Sequence, residues 1–303
     1  MVTKNVLLLF SRASTESGNA DPARLSQLLT NSGAGTTAAH ACFEDLLFYL
    51  DEHDAEVIDT ANNRPLAAYN AIYFRYWGDA PVQGPALAAA RFCKLKGIPF
   101  VDSEVLRTGS FNKITQYMNL HEAGVPFPKT LVGPAAQLLQ TYAGRGFAFP
   151  LVLKNASGTR GQDNYVVQDE TELQDVLHKN PQLTFVLQSF IPNDGDCRVV
   201  VMGDSVTLVI KRTAQRGSHL NNTSQGGAAE LLPVGDLPQE VRDLSVRAAQ
   251  FFGRQVAGVD MVQSKADGRW YCFEVNRAPQ IEHASFEQEK AKLLAEYLRD
   301  LTK

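Results

Sequence analysis

The chain opens on a continuous apolar run at residues 4–10, closed by a polar stretch rich in Ser, Gly, Asn and Thr. An unbroken run of this length predicts a strand buried on both faces, as in a parallel sheet. Residues 11–37 read as loop, interrupted by a short helix near 25–29. Residues 38–54 carry apolar positions at helical spacing and predict a helix, and 56–59 predict a second strand. The aromatic run 71–77 predicts a third strand, 85–96 a helix, and 98–101 a fourth strand. Strands alternating with helices predict a small parallel sheet.

The rhythm then changes. Residues 111–123 predict a helix ended by Gly124 and Pro126. A strand over 151–154 runs into a Gly-containing loop at 155–162, and 164–168 return as its partner. Asp169 or Thr171 can cap a helix that continues to about residue 179. The apolar segment 185–191 follows. Strands at 198–202 and 206–212 are joined by Gly203-Asp204, a hairpin signal. A polar loop at 213–227 leads to a helix at 238–252. A last β pair, 258–262 with 270–275, turns through 266–268, and a helix over 285–301 closes the pattern.

Composition limits the function classes. With 303 residues, 44% apolar and 20% charged, the chain can bury two or three cores. A net charge of -4 gives no global field toward nucleic acid or an anionic membrane, so neither is an expected partner. The apolar run at 6–10 is too short for a signal-peptide core or a membrane span. Cys42, Cys93, Cys197 and Cys272 are widely spaced in apolar contexts, which suits buried thiols in a reducing cytoplasm.

Three groups of residues carry candidate chemistry. In the last hairpin, Glu274 and Asn276 share one face by period two, and pairing across the turn can bring Asp260 to that face. Two carboxylates and an amide oxygen suit Mg²⁺; they equally suit a solvated sheet face. Lys154 ends a strand just before a loop containing Gly158, Thr159 and Gly161, whose N–H groups could cover phosphates. No GxxxxGK[ST] motif is present. Segment 185–191, with Gln188, Ser189, Phe190 and Ile191, could serve as a hinge whose free backbone groups read a purine edge, or be a plain core strand. Arg198, Lys211 and Arg212 lie near Asp196 and Asn222. Arg198 and Arg212 could share a face and neutralise a transferring phosphoryl group.

Taken in order, these pieces resemble the ATP-grasp superfamily, and within it the RimK-like carboxylate–amine ligases. The resemblance rests on Phe111-Asn112-Lys113, Val152-Leu153-Lys154, Gly158-Thr159-Arg160-Gly161, Gln188-Ser189-Phe190-Ile191, Gly195-Asp196-Cys197-Arg198, Lys211-Arg212, Asn222, Asp260 and Phe273-Glu274-Val275-Asn276. It implies an α/β fold in which an N-terminal parallel domain (1–108) precedes a central lobe with a Gly-rich lid (109–183) and a metal-bearing lobe (184–303). It implies ATP and Mg²⁺, or Mn²⁺, as cofactors. Lys113 and Lys154 would contact phosphates. Gln188, Ser189, Phe190 and Ile191 would hold adenine, with Asp196 near the nucleotide. Arg198, Lys211 and Arg212 would serve catalysis, Asn222 would face phosphate or metal, and Asp260, Glu274 and Asn276 would bind the metal.

The implied reaction activates a small-molecule or peptide carboxylate as an acyl phosphate and passes it to an amine. A homo-oligomer is a further expectation from the family. Departures stand at Ser189, where a glutamate is usual, at Asp163, and at Leu220 and Gln225, where positive charge is missing. A kinase on the same fold would stop at phosphorylation, and a nucleotide-binding regulator would keep the hinge without the metal ligands.

Overall fold

A computed structural model describes residues 3–78, 80–107, 113–156, 164–213, 228–283 and 285–302. The first sheet is parallel. β1 (Lys4–Phe10) is flanked by β2 (Thr36–Cys42) and β6 (Ala71–Phe74), with β7 (Phe100–Val101) at the far edge. Val6 to Phe10 are fully buried, as an apolar strand covered on both faces requires. Helix α2 (Pro22–Asn31) covers one face, its N-terminus set by Asp21, which accepts the Arg24 N–H, and by Pro22 in the first turn. Helix α3 (Ala80–Lys96) covers the other.

The helix expected over 38–54 does not form. Residues 36–42 pair in parallel with β1, and Leu46–Leu50 form β3, which pairs antiparallel with β4 (Ala55–Asp59), whose other side pairs with β5 (Arg64–Pro65). Apolar residues are nearly continuous over 46–50, so either periodicity can be read into them, and strand pairing decides. The expected strand at 56–59 therefore exists, but in this small antiparallel sheet rather than the parallel one.

The central sheet has the order β10-β9-β11-β8, formed by β8 (Thr130–Pro134), β9 (Leu151–Asn155), β10 (Asn164–Val167) and β11 (Thr184–Ser189). Helices α5 (Ala135–Thr141) and α6 (Glu170–Lys179) complete its core. Asp169 caps α6 by accepting the Glu172 N–H. Because β11 belongs here, this sheet runs past the boundary expected at 183. β8 and α5 were not anticipated from the pattern.

A five-stranded antiparallel sheet follows, order β14-β13-β12-β15-β16. It comprises β12 (Asp196–Met202), β13 (Ser205–Thr213), β14 (Ala228–Leu232), β15 (Val256–Gln263) and β16 (Trp270–Asn276). One face packs on α4 (Lys113–Glu122) and α7 (Gln239–Phe252). The other face meets the parallel sheet and α8 (Glu287–Asp300), through Val200, Met202 and Val256 against Leu294 and Leu298. No described helix is long and apolar enough to cross a membrane.

Candidate active site

The register of the five-stranded sheet builds the site. Arg198 on β12 sits opposite Asp260 on β15, which sits opposite Glu274 on β16. Asp196 sits opposite Arg212 on β13. Period two puts these side chains on one face. Arg198 grips Asp260 with both prongs, Nε–Oδ1 and Nη2–Oδ2 each 2.8 Å. Arg212 grips Asp196 at 2.6 and 2.8 Å, and its Nη2 lies 3.1 Å from Asp260 Oδ1. Burial disfavours the Asp260 anion, but the two guanidiniums outweigh it and hold its carboxyl below the usual range. Burial and the neighbouring Asp260 carboxylate push Asp196 the other way.

Gly195 makes this geometry possible. Its φ is +120°, and a Cβ there would lie 2.2 Å from the Arg212 carbonyl oxygen. Only glycine fits so close to the backbone of the strand that carries Arg212.

Glu274 keeps solvent access although protein surrounds it, the situation of a side chain on a cleft floor. Enclosure and Asp260 raise its pKa. The ladder shifts register next to it, between Asp260 and Met261, leaving Phe273 as an extra residue; such bulges re-aim side chains. Lys154, from β9 of the central sheet, lies with its Nζ 5.5 Å from the Phe273 ring centroid. Burial lowers its pKa to about 8, with Glu274 opposing and Lys113 reinforcing the shift. Lys113, the first residue of α4, donates to the Asn155 carbonyl at 2.8 Å, and burial lowers its pKa as well. Lys154 from the central sheet and Lys113 from α4, which packs on the five-stranded sheet, thus both lie close enough to act on Glu274.

The strand carrying Glu274 is an edge strand, and side contacts pin it. Val275 N–H donates to Gln116 Oε1 at 3.3 Å, Cys272 N–H donates to the Pro126 carbonyl at 2.7 Å, and Arg254 donates to the Val275 carbonyl. Arg254 is itself held by Glu104 through two bonds of 2.8 and 2.6 Å, all buried. Sequence reasoning missed this support, because Glu104 and Arg254 lie 150 residues apart with no local pattern linking them.

Other expected residues fall differently. Lys211 points to the face opposite Arg212, is 44% exposed, and pairs with Glu230 at 3.6 Å; adjacent strand residues cannot share a face. The hinge segment is not a free edge. β11 is bonded on both sides, and Ser189 and Phe190 N–H donate to the Lys129 and Pro150 carbonyls. The Gln188 side chain is buried, accepting from the Tyr117 hydroxyl and donating to Thr130. The Ile191 carbonyl accepts from Asn193 at 2.8 Å, while its N–H makes no bond among the described residues. Gly158, Thr159, Gly161 and Asn222 lie outside the described residues.

The donor set fits a hard cation. Asn276 donates its Nδ2 to Gly258 O and Asp260 Oδ2, each 3.3 Å, which leaves its amide oxygen for a metal. The Glu274 carboxylate makes no hydrogen bond among the described residues, and a cation would relieve its repulsion by Asp260. Asp260 fits on one condition, that Arg198 yields an oxygen. A cleft of about 420 Å³ is lined by Ser14, Ser17, Asn19, Tyr76, Gly78 and Arg277. Arg277 follows Asn276 directly and stacks over Trp77 at 4.4 Å. A larger cavity of about 680 Å³, lined by His40, Cys42, Asp45 and His283 among others, includes none of the residues in the Arg198–Asp260–Glu274 row.

The chain resembles known proteins. The model of the RimK-like ATP-grasp domain matches residues 111–298. A probable alpha-L-glutamate ligase of Cellvibrio japonicus is 30% identical over 234 residues, covering 74% of this chain and 75% of that protein. One from Vibrio atlanticus is 28% identical, covering 76% and 80%. Among solved structures, the ATP-grasp ligase PsnB complexed with a precursor peptide and AMPPNP superposes with a TM-score of 0.67 at 19% identity, covering 100% of this chain and 99% of that one. D-alanyl-alanine synthetase A from Vibrio cholerae gives 0.63 at 16% identity, covering 100% and 98%. With the matching domain spanning more than half of its length, the chain belongs to the RimK-like ATP-grasp family.

Proposed function

We propose that the protein is an ATP-dependent carboxylate–amine ligase that forms an amide bond and releases ADP and phosphate. The observation that carries this reading is the row of Arg212, Asp196, Arg198, Asp260 and Glu274 on one sheet face, with Lys113 and Lys154 close to Glu274. Such a row puts two arginines and three acids where a polyphosphate and its cation would lie. Asp260, Glu274 and Asn276 would hold Mg²⁺, whose charge would offset that of the phosphates.

In the reaction, a substrate carboxylate oxygen attacks the γ-phosphorus and ADP departs. The amine then attacks the acyl carbon, inorganic phosphate leaves, and the amine loses a proton. Arg198 and Arg212 are placed to stabilise the charge on the transferring group once released from their carboxylates. Lys154, from the central sheet, and Lys113, from α4, would orient the phosphates. Ile191 N–H is the hinge donor left for a purine. The cleft beside Arg277 would receive the carboxylate.

The test is ADP release measured across panels of carboxylates and amines, with amide detected by mass. L-Glutamate is the first amine, since related sequences are named alpha-L-glutamate ligases. ADP and amide formed together, dependent on both substrates, support the reading. Phosphorylated product without any amine requirement would replace it with a kinase.

A further inference from the structure

We propose that the outer edge of β3 is a docking site for an extended polypeptide segment of another protein, one whose apolar residues are bracketed by lysines or arginines. It would bind by adding a strand to the β3-β4-β5 sheet. This site is separate from the nucleotide cleft and does not depend on the ligase reading.

Four observations converge on it. First, β3 is an edge strand: β4 pairs with one side, and among the described residues no strand pairs with the other. Second, the register shows which groups face outward. Thr60 N–H donates to Asp45 O and Asp51 N–H to Asp54 O, so Asp45 and Asp51 are hydrogen-bonded positions of the hairpin. Alternation then directs the Leu47 and Tyr49 backbone groups to β4, and those of Phe48 and Leu50 outward.

Third, the edge lacks the usual protection. Edge strands are normally blunted by inward charges, proline or extreme shortness. The opposite edge of the same sheet, β5, has two residues and contains Pro65. β3 is Leu-Leu-Phe-Tyr-Leu, and Leu47, Tyr49 and Leu50 are 54%, 55% and 70% exposed. Its inner face holds Leu46 and Phe48 against the core, so the strand is anchored rather than loose.

Fourth, the flanks are acidic. Glu44 and Asp45 precede the strand, Asp51, Glu52 and Asp54 follow it, and Glu56 sits opposite Tyr49. Arg12 pairs with Asp45 and Lys96 with Asp54, while Glu44, Asp51, Glu52 and Glu56 remain exposed. The charge pattern selects the occupant. A second copy added antiparallel would set 44–45 of one chain beside 51–54 of the other, acid against acid. A segment ending in basic residues meets complementary charge at both ends while its backbone completes the ladder.

The test uses the full chain and a fluorescein-labelled peptide of alternating valine and threonine with two lysines at each end. A peptide with glutamates at the ends is the control. Binding is read by anisotropy. The lysine-ended peptide is expected to bind about tenfold or more tightly than the control, with affinity falling as salt rises. Leu50→Pro removes an outward donor without touching the ladder to β4, and is expected to weaken binding about tenfold. Leu47→Ser with Tyr49→Ser, which leaves every backbone bond and the net charge in place, should do the same by removing the apolar contacts. Equal binding of the two peptides, no binding of either, or an unchanged affinity in both variants would overturn the proposal. So would self-association of the chain that Leu50→Pro abolishes.

Discussion

Lys154→Met should make the nucleotide-free protein more stable at neutral pH and at the same time weaken its hold on ATP. Lys154 projects from β9 into an enclosed space between two lobes, and burial lowers its pKa from 10.5 to about 8. Each pKa unit corresponds to about 1.4 kcal/mol, so carrying the charged form in the folded state costs up to about 3 kcal/mol. The side chain retains some solvent access, and screening reduces the figure to about 2 kcal/mol. The sign follows from proton counts. Between pH 8 and 10.5 the unfolded chain binds a proton at this lysine that the folded chain does not, so stability rises with pH across that window. Below pH 8 the full penalty is present.

Methionine keeps most of the volume and carries no charge. Urea denaturation should therefore show the variant about 2 kcal/mol more stable at pH 7, with a smaller increase in stability between pH 8 and 10 than the wild type. ATP binding should weaken about tenfold to a hundredfold, the worth of one charge-assisted contact. Calorimetry in buffers of different ionisation enthalpy provides a second readout. At pH 9 about nine-tenths of Lys154 is neutral, and a polyphosphate draws a proton onto it, so binding should take up about one proton in the wild type and markedly less in the variant. A variant less stable at pH 7 that binds ATP with unchanged affinity and proton uptake would refute the reasoning.

Gly195→Ala should cost about 3 kcal/mol or more in chemical denaturation, because its Cβ would press into the Arg212 carbonyl. Arg254→Ala should cost about 3 kcal/mol by leaving the buried Glu104 with only a 3.5 Å contact to Arg277, and should also raise the magnesium needed for half-maximal turnover, since Arg254 holds the Val275 carbonyl between two metal-ligand candidates. Glu274→Gln should leave apo stability unchanged or slightly higher, because the raised carboxyl pKa marks an unfavourable anion, while turnover falls about a hundredfold or more. Mg²⁺ alone should bind weakly and MgATP well, as read by calorimetry. Arg198 occupies both Asp260 oxygens until phosphates offer it another partner.

How much of this site was legible in the sequence depends on how far apart the cooperating residues lie. Within a hairpin, period two and a short turn suffice. Glu274 and Asn276 were placed on one face with Asp260 opposite, and the register sets Asp260 against Glu274. The same rule, applied to Lys211 and Arg212, would have separated them, since neighbouring strand residues face opposite ways. Where the rule has no purchase, reading failed. The five apolar residues 46–50 offer no alternation, so local sequence could not choose helix or strand, and pairing with residues 55–59 chose for them. The groups that brace β16 come from residues 104, 116, 126 and 254, and no periodicity spans such separations. Arg198 shows the middle case. Its alternation put it on the face with Arg212, but not its bidentate grip on Asp260, which register alone decides. That grip gives the apo site its character: the acids that would bind a cation are satisfied by arginines, so the site is assembled electrostatically before any ligand arrives and must exchange partners when one does.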